Sequence, residues 1–369
     1  MLVYLEPIDT LFFRDSRPFE AGTDAFAEST QMPSPLAVYG AIGSYLLRRK
    51  GADINAFLDG GNDSELGQYD STLKDTPLKI TGIFLSWDGI TYLPAPANLI
   101  CVNDSEYNLA MPRDGADFKS DYDLRPLEIP KGKCKPVDGF LTLDDVNICR
   151  KGESVDSLKT LKPSEYSPGE LRFGHRLDRA ASVVEEGFLY AAMHLRFKDG
   201  IGDKNYTKLR LLVSVSGVNG LDSEDVVLLG GEGRKARLTP ADDGLDFKDD
   251  EVLSKIKQSG RFFVYLLTPA VFGEGWCPSK WPGEFGDASP VAAAVRKPLY
   301  LSGWQRKGSA HGSPRPLRKA VPPGSVYFFE TDNRDGGKFD RLYSEYNFNR
   351  SLSDEYPSAG FGISLIGAW

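Results

Sequence analysis

An Asp88-Gly89 pair between two apolar runs, Leu78 to Trp87 and Thr91 to Leu93, constrains this 369-residue chain more than any other feature. A two-residue turn of this kind favours positive φ at both positions and folds its flanks into an antiparallel hairpin. Upstream, Leu2 to Ile8 reads as a short strand. Pro33-Ser34-Pro35 then stops the preceding loop and starts a helix, with Ser34 as N-cap and Pro35 as its first residue. From Leu36 to Lys50 the apolar residues Leu36, Val38, Tyr39, Ile42, Tyr45, Leu46 and Leu47 recur close to helical spacing. The order strand, helix, strand, strand is the first half of a ferredoxin-like β-α-β-β-α-β unit. Gly40 and Gly43 each cost the helix about 1 kcal/mol against Ala. Close packing against a strand or a ligand is the expected reason for them.

The rest of the chain is read in the same terms. Gly51 to Thr72 has five acids and no Lys or Arg, as an exposed, mobile connection would. Residues 97–170 show little periodicity and much Pro, Gly and Asp, and are expected to be a long insertion. Gly187 to Phe197 supplies a later strand to finish the first sheet. A second unit starts at Lys208, with a strand from Leu209 to Val215. A short helix from Asp222 to Leu229 follows, ended by Gly230-Gly231. Arg234 to Leu238 reads as an edge strand, and Arg261 to Leu267 and Gly324 to Phe329 as strong strands. The expected fold class is α+β: two tandem ferredoxin-like (RRM-like) domains with long loop-rich insertions. Their bounds are 1–205, with an insertion at about 97–170, and 206–369.

Several function classes fall away. The four cysteines (101, 134, 149, 277) form no C-x-x-C pair, and the three histidines (175, 194, 311) lie far apart, so no zinc spacing exists. No metal or cofactor is expected. No G-x-x-x-x-G-K-[ST] loop occurs, and no G-x-G-x-x-G follows a strand, which disfavours ATP and dinucleotides. The strongest apolar run, Phe262 to Phe272, is too short to span a bilayer and is broken by Thr268 and Pro269. The first residues lack the basic start of a signal peptide. The expected setting is cytoplasmic, with no membrane contact.

The net charge of −8 argues against a general nucleic-acid binder. It conceals a partition, however. From Val291 to Phe329 there are seven Lys or Arg residues (Arg296, Lys297, Arg306, Lys307, Arg315, Arg318, Lys319) and no acid. This segment also holds Tyr300 and Trp304 among Gly, Ser and Pro, a mixture suited to single-stranded RNA. Two further basic clusters are Arg172 to Arg179 and Gly230 to Arg237, the latter with glycines that permit close approach of an anion. No G-x-S-x-G, H-E-x-x-H or Cys–His nucleophile signature is present. His175, in an Arg-rich setting, is the one candidate base for RNA cleavage, with Arg176 beside it. His194, in an expected strand, and His311, in a Gly-Ser loop, are read as structural. Arg14-Asp15-Ser16-Arg17 reads as a loop braced by its own ion pairs.

Glu6-Pro-Ile-Asp-Thr-Leu-Phe-Phe-Arg-Asp-Ser-Arg-Pro-Phe19, followed by Pro33-Ser-Pro35 and a Gly-containing helix, resembles the opening of the third Cmr subunit. That subunit belongs to the RAMP superfamily (Cas-five-like group) of type III-B CRISPR effector complexes. Further matches run in order: Arg176-Leu-Asp178, Glu186 to Tyr190, Leu229 to Arg234, Ser302-Gly-Trp304, Ala320 to Phe328 and Gly360-Phe-Gly362. Ser16 stands where such openings show Gly, Ala180-Ala181 replaces a more polar stretch, and 97–170 matches nothing placed. The resemblance implies a non-catalytic RNA-binding subunit in antiviral defence. It would hold the 5′ handle of the CRISPR RNA, dock the large polymerase-like subunit and adjoin the backbone RAMP subunit. The expected RNA site comprises Arg14, Arg17, Ser34, Pro35, Gly40, His175, Arg176, Arg234, Trp304, Arg318 and Lys319. Two alternatives stay open: a RAMP endoribonuclease with His175 as base, and a bridge that touches protein only.

Overall fold

The computed structural model describes residues 1–15, 26–115, 122–155, 157–178, 183–197, 209–242, 244–307 and 310–369. The side chains at 178, 185–188, 306, 307, 310 and 311 lie outside that description, as does Arg17 of the expected site.

The larger sheet has seven strands: β1 (Leu2–Pro7), β2 (Lys79–Trp87), β3 (Ile90–Pro94), β4 (Phe140–Thr142), β5 (Arg210–Ser216), β6 (Asp225–Leu228) and β7 (Lys235–Ala241). Their spatial order is β4-β3-β2-β5-β1-β7-β6, with every neighbouring pair antiparallel. The smaller sheet comprises β8 (Arg261–Leu266), β9 (Ser289–Ala294), β10 (Val326–Glu330) and β11 (Ser364–Ala368). Its order is β9-β10-β8-β11, again antiparallel. The helices used below are α1 (Pro35–Arg49), α2 (Leu143–Arg150), α3 (Asp250–Ser259) and α4 (Gly336–Tyr346).

The period-two alternation of the strands builds three cores. Val3 and Leu5, Ile83 and Leu85, and Leu211 and Val213 point to one face of the large sheet, where α1 covers them with Val38, Ile42 and Leu46. Tyr4, Phe84 and Leu212 point the other way and meet Phe263, Tyr265, Phe328 and Leu365 of the small sheet. The far face of the small sheet (Phe262, Val264, Tyr327, Phe329) is covered by α3 and α4 through Val252, Ile256, Phe339 and Leu342. The molecule is therefore layered helix, sheet, sheet, helices, with the two sheets sharing one core.

The Asp88-Gly89 hairpin forms as expected, with φ of +55° and +74° at the turn. Other expectations are corrected. The strand at Leu209 to Val215 does not open a second sheet: β5 lies between β1 and β2 at the centre of the first. The Gly187 to Phe197 strand does not complete that sheet. It falls within Val183–His194, which pairs with Glu170–Asp178 in a long hairpin, with Phe26–Glu28 added parallel on its other edge. The Asp222 to Leu229 helix is instead β6, because Val227 is buried between the exposed Val226 and Leu228, an alternation of two.

Residues 97–170 are not featureless. They form a small sheet (Cys134–Pro136, Leu99–Val102, Glu106–Leu109), supply β4, and place α2 against the shared core through Val146 and Cys149. The acidic stretch after Gly51 is a built loop. Asp53 caps a short helix (Ile54–Leu58), Asp63 accepts from the amides of Glu65 and Leu66, and Asp70 accepts from those of Thr72 and Lys74. Short-range acceptors of this kind make Asp a turn former. No described helix is long and apolar enough to cross a membrane.

Candidate nucleic-acid interface

A cleft of about 780 Å³ lies against the exposed side of α1. The helix starts where Pro35 is tolerated, because the first amides have no partner within the helix. Ser34 has the extended backbone of an N-cap, yet its side chain makes no capping hydrogen bond. The face opposite the buried stripe puts Leu36, Tyr39, Gly40 and Ser44 along the cleft. Among the described residues, a Cβ added at Gly40 would meet no atom within 4 Å, and at Gly43 only Leu78 and Leu66 at 3.8 and 3.9 Å. Neither glycine is required by packing among the described residues.

The opposite walls come from distant parts of the sequence. Phe12 to Asp15 form one side, next to the 230–232 turn. Gly230 has φ +89°, and a Cβ there would stand 2.6 Å from the Phe12 carbonyl oxygen, to which the Gly231 amide donates at 2.7 Å. The close approach these glycines allow is therefore to the chain's own backbone. Phe57, Tyr69 and Leu73 line the side nearest the acidic loop, and Tyr300, Leu301 and Trp304 close the rim. Trp304 is 62 % exposed, and its indole covers Gly312, where any Cβ would strike Nε1. Arg315 donates to the Ser71 carbonyl at 3.3 Å.

Arg14, Ser34, Gly40 and Trp304 of the expected site thus line one cleft. The other described residues of that set do not line it. His175 and Arg176 are exposed on the hairpin strand Glu170–Asp178. Arg234 stands behind the 230–232 turn, donating to Asp9 at 3.2 Å and to Glu232 at 3.1 Å. Arg318 is paired with Glu355 at 2.8 Å, and Lys319 lies opposite Tyr300 in a short strand pair. Pro35 begins α1 and is buried in the fold. The basic segment is also less free than its count suggests, since Arg296 pairs with Asp138. Among the described residues, the charged groups on the cleft lining are Arg14 and Arg315 against Asp15, Asp70 and Glu232; the remainder is mostly aromatic and aliphatic.

Sequence reasoning missed the aromatic walls and what supports them. The signal was present in Phe12 and Phe13, placed in an otherwise polar loop. Beneath them His194 is fully buried. Its Nδ1 lies 3.1 Å from Thr10 Oγ1, and its ring stacks on Phe12 at 4.8 Å between centroids and 20° between planes. Nε2 is 3.3 Å from Glu232 Oε2, but off the line of a hydrogen bond. Burial pushes the imidazole below its ordinary value; Glu232 opposes that, and Arg234 and Arg172 add to it. Nearby, Asp9 receives Arg172 at 2.8 Å and Arg196 at 3.0 Å. Burial works to raise its carboxyl, but these partners outweigh it and hold it below the ordinary range.

Among solved structures, the chain is similar to a subunit of type III-B Cmr-beta bound to cognate target RNA and AMPPnP, at 15 % identity and TM-score 0.46, covering 94 % of this chain and 89 % of that one. It is similar also to a subunit of Cmr-beta bound to cognate target RNA, at 16 % identity and TM-score 0.49, covering 89 % and 86 %. No curated protein matches. The family of CRISPR-associated proteins Cas_Cmr3 matches residues 3–369, and the chain belongs to that family as a subunit of a type III-B effector complex.

Proposed function

We propose that this subunit is a non-catalytic RNA holder and that the cleft over α1 receives the 5′ handle of the CRISPR RNA. The observation that carries this is Gly40: an exposed helical glycine with open space above it among the described residues, facing a cleft walled by aromatic side chains. Glycine in a helix interior costs about 1 kcal/mol against Ala, and a backbone left bare for a ligand is a reason to keep it. Stacking surfaces and a few polar edges suit unpaired bases, and each base stacked on an aromatic ring contributes about 1–3 kcal/mol. Both sheets are read as ferredoxin-like units. The first uses β1, α1, β2, β5 and β7, and the second β8 to β11 with α4, each with one of the two usual helices replaced by loop or strand. The large polymerase-like subunit and the backbone RAMP subunit would dock elsewhere on this body, in the cytoplasm.

The test is affinity of the assembled complex for handle-bearing RNA. Gly40→Leu, which puts a side chain into the cleft, and Trp304→Ala are each expected to weaken binding at least about 5-fold, the equivalent of one lost stacking contact. Arg14→Ala with Arg17→Ala is expected to reduce the salt slope. Unchanged affinity and unchanged salt slope in all three would overturn the reading.

A further inference from the structure

Resting on that reading of the cleft, we propose that His194 is a positioning residue for the RNA site, holding the wall made by Phe12 and Glu232 in its receptive shape. His194 is fully buried and cannot touch RNA itself. Its ring nonetheless contacts both parts of the wall. It stacks on Phe12 and stands 3.3 Å from the Glu232 carboxylate, while Thr10 anchors its other nitrogen. The two parts are also tied directly, through the Gly231 amide on the Phe12 carbonyl. Glu232 itself sits at φ +55°, a left-handed conformation that costs a non-glycine residue and needs support from its surroundings.

Among the described residues, the charged groups around the ring come from three elements. Glu232 and Arg234 belong to the turn, Glu170 and Arg172 to the hairpin with Arg196 just beyond it, and Asp9 to the first loop. Arg172 and Arg234 oppose a second positive charge, so the neutral ring is the form that fits. With Nδ1 accepting from the Thr10 hydroxyl, that ring carries its proton on Nε2, 3.3 Å from the Glu232 carboxylate but off the line of a hydrogen bond. The hairpin is thereby coupled to the cleft through one side chain.

A double-mutant cycle on the assembled complex tests this, with handle-bearing RNA as probe. His194→Leu is expected to weaken binding about 10-fold. Phe12→Leu is expected to do the same, and the double variant should be no more than about 2-fold worse than the weaker single, as for residues acting through one contact. Wild-type affinity in an assembled His194→Leu complex would overturn the proposal, and so would losses that multiply. If that variant does not assemble, His194→Gln enters the cycle under the same criterion, with a loss of about 3-fold. Gly40→Leu, run alongside, separates the two failures. If it weakens binding while His194→Leu does not, only the positioning role fails; if neither does, the reading of the cleft fails with it.

Discussion

Among the described residues, Arg150 is the largest of the fully buried side chains, and no carboxylate meets its guanidinium in the described contacts. It donates instead to the Ile366 carbonyl, Asn147 Oδ1, the Tyr343 hydroxyl and Asn347 Oδ1, binding α2 to α4 and β11. Burial pulls its pKa down, while Tyr343 and Asp249 push the other way. A cation held this way is stable only while its acceptors stay in place. Arg150→Met, which leaves those acceptors short of a donor but fills the space, is expected to cost about 1–3 kcal/mol. Arg150→Ala should cost more because it adds a cavity. Chemical denaturation of both variants checks the order. His194 makes the complementary case. Its folded pKa lies below its ordinary 6.5, so the unfolded chain takes up the proton first as pH falls. Stability should be level above about pH 6.5 and decline below it. Thermal midpoints between pH 8 and 5.5 should show this step in the wild type and lose it in His194→Leu. Asp9 and Glu170, whose pKa values are lowered by their arginines, add a second loss only as pH falls into the carboxylate range.

At the scale of elements, Gly40 separates stability from binding. Gly40→Ala should stabilise α1 by up to about 1 kcal/mol while weakening RNA binding, a split that melting and affinity measurements together would show. Elements with local signals were legible in the sequence: α1 from its Pro-Ser-Pro start and apolar spacing, and the β2–β3 hairpin from Asp88-Gly89. What was not legible depends on partners far away in the chain. Nothing local in Leu209 to Val215 says that it inserts between β1 and β2, roughly 200 and 130 residues upstream. Asp-Val-Val-Leu reads as helix because two glycines follow it, although Val-Val favours a strand. The site divides the same way. Arg14, Ser34, Gly40 and Trp304 converge, while Arg318, Lys319, His175 and Arg176 do not, because basic residues alone do not report where they point. Arg234 was found for its charge, and that charge is used by Asp9 and Glu232.

At the scale of the whole molecule, the two sheets are joined by a common core, and β5 binds the first half of the chain to the second. A fragment of residues 1–205 lacks the strand that links β1 to β2. It is expected to show no cooperative thermal transition, whereas the full chain unfolds as a cooperative body. A folded 1–205 fragment would contradict this architecture. The charge pattern also resolves at this scale. The acidic body and the basic segment are partly paired with each other, and what remains for a ligand is an aromatic cleft whose described lining carries two arginines against three acids. The most direct measurement is photo-crosslinking of the assembled complex loaded with RNA that carries 4-thiouridine in its handle, followed by peptide mapping. The account predicts crosslinks in the first turns of α1, at Phe12 to Arg14 and at Tyr300 to Trp304. Crosslinks confined to the Glu170–His194 hairpin, with none in the cleft, would contradict it.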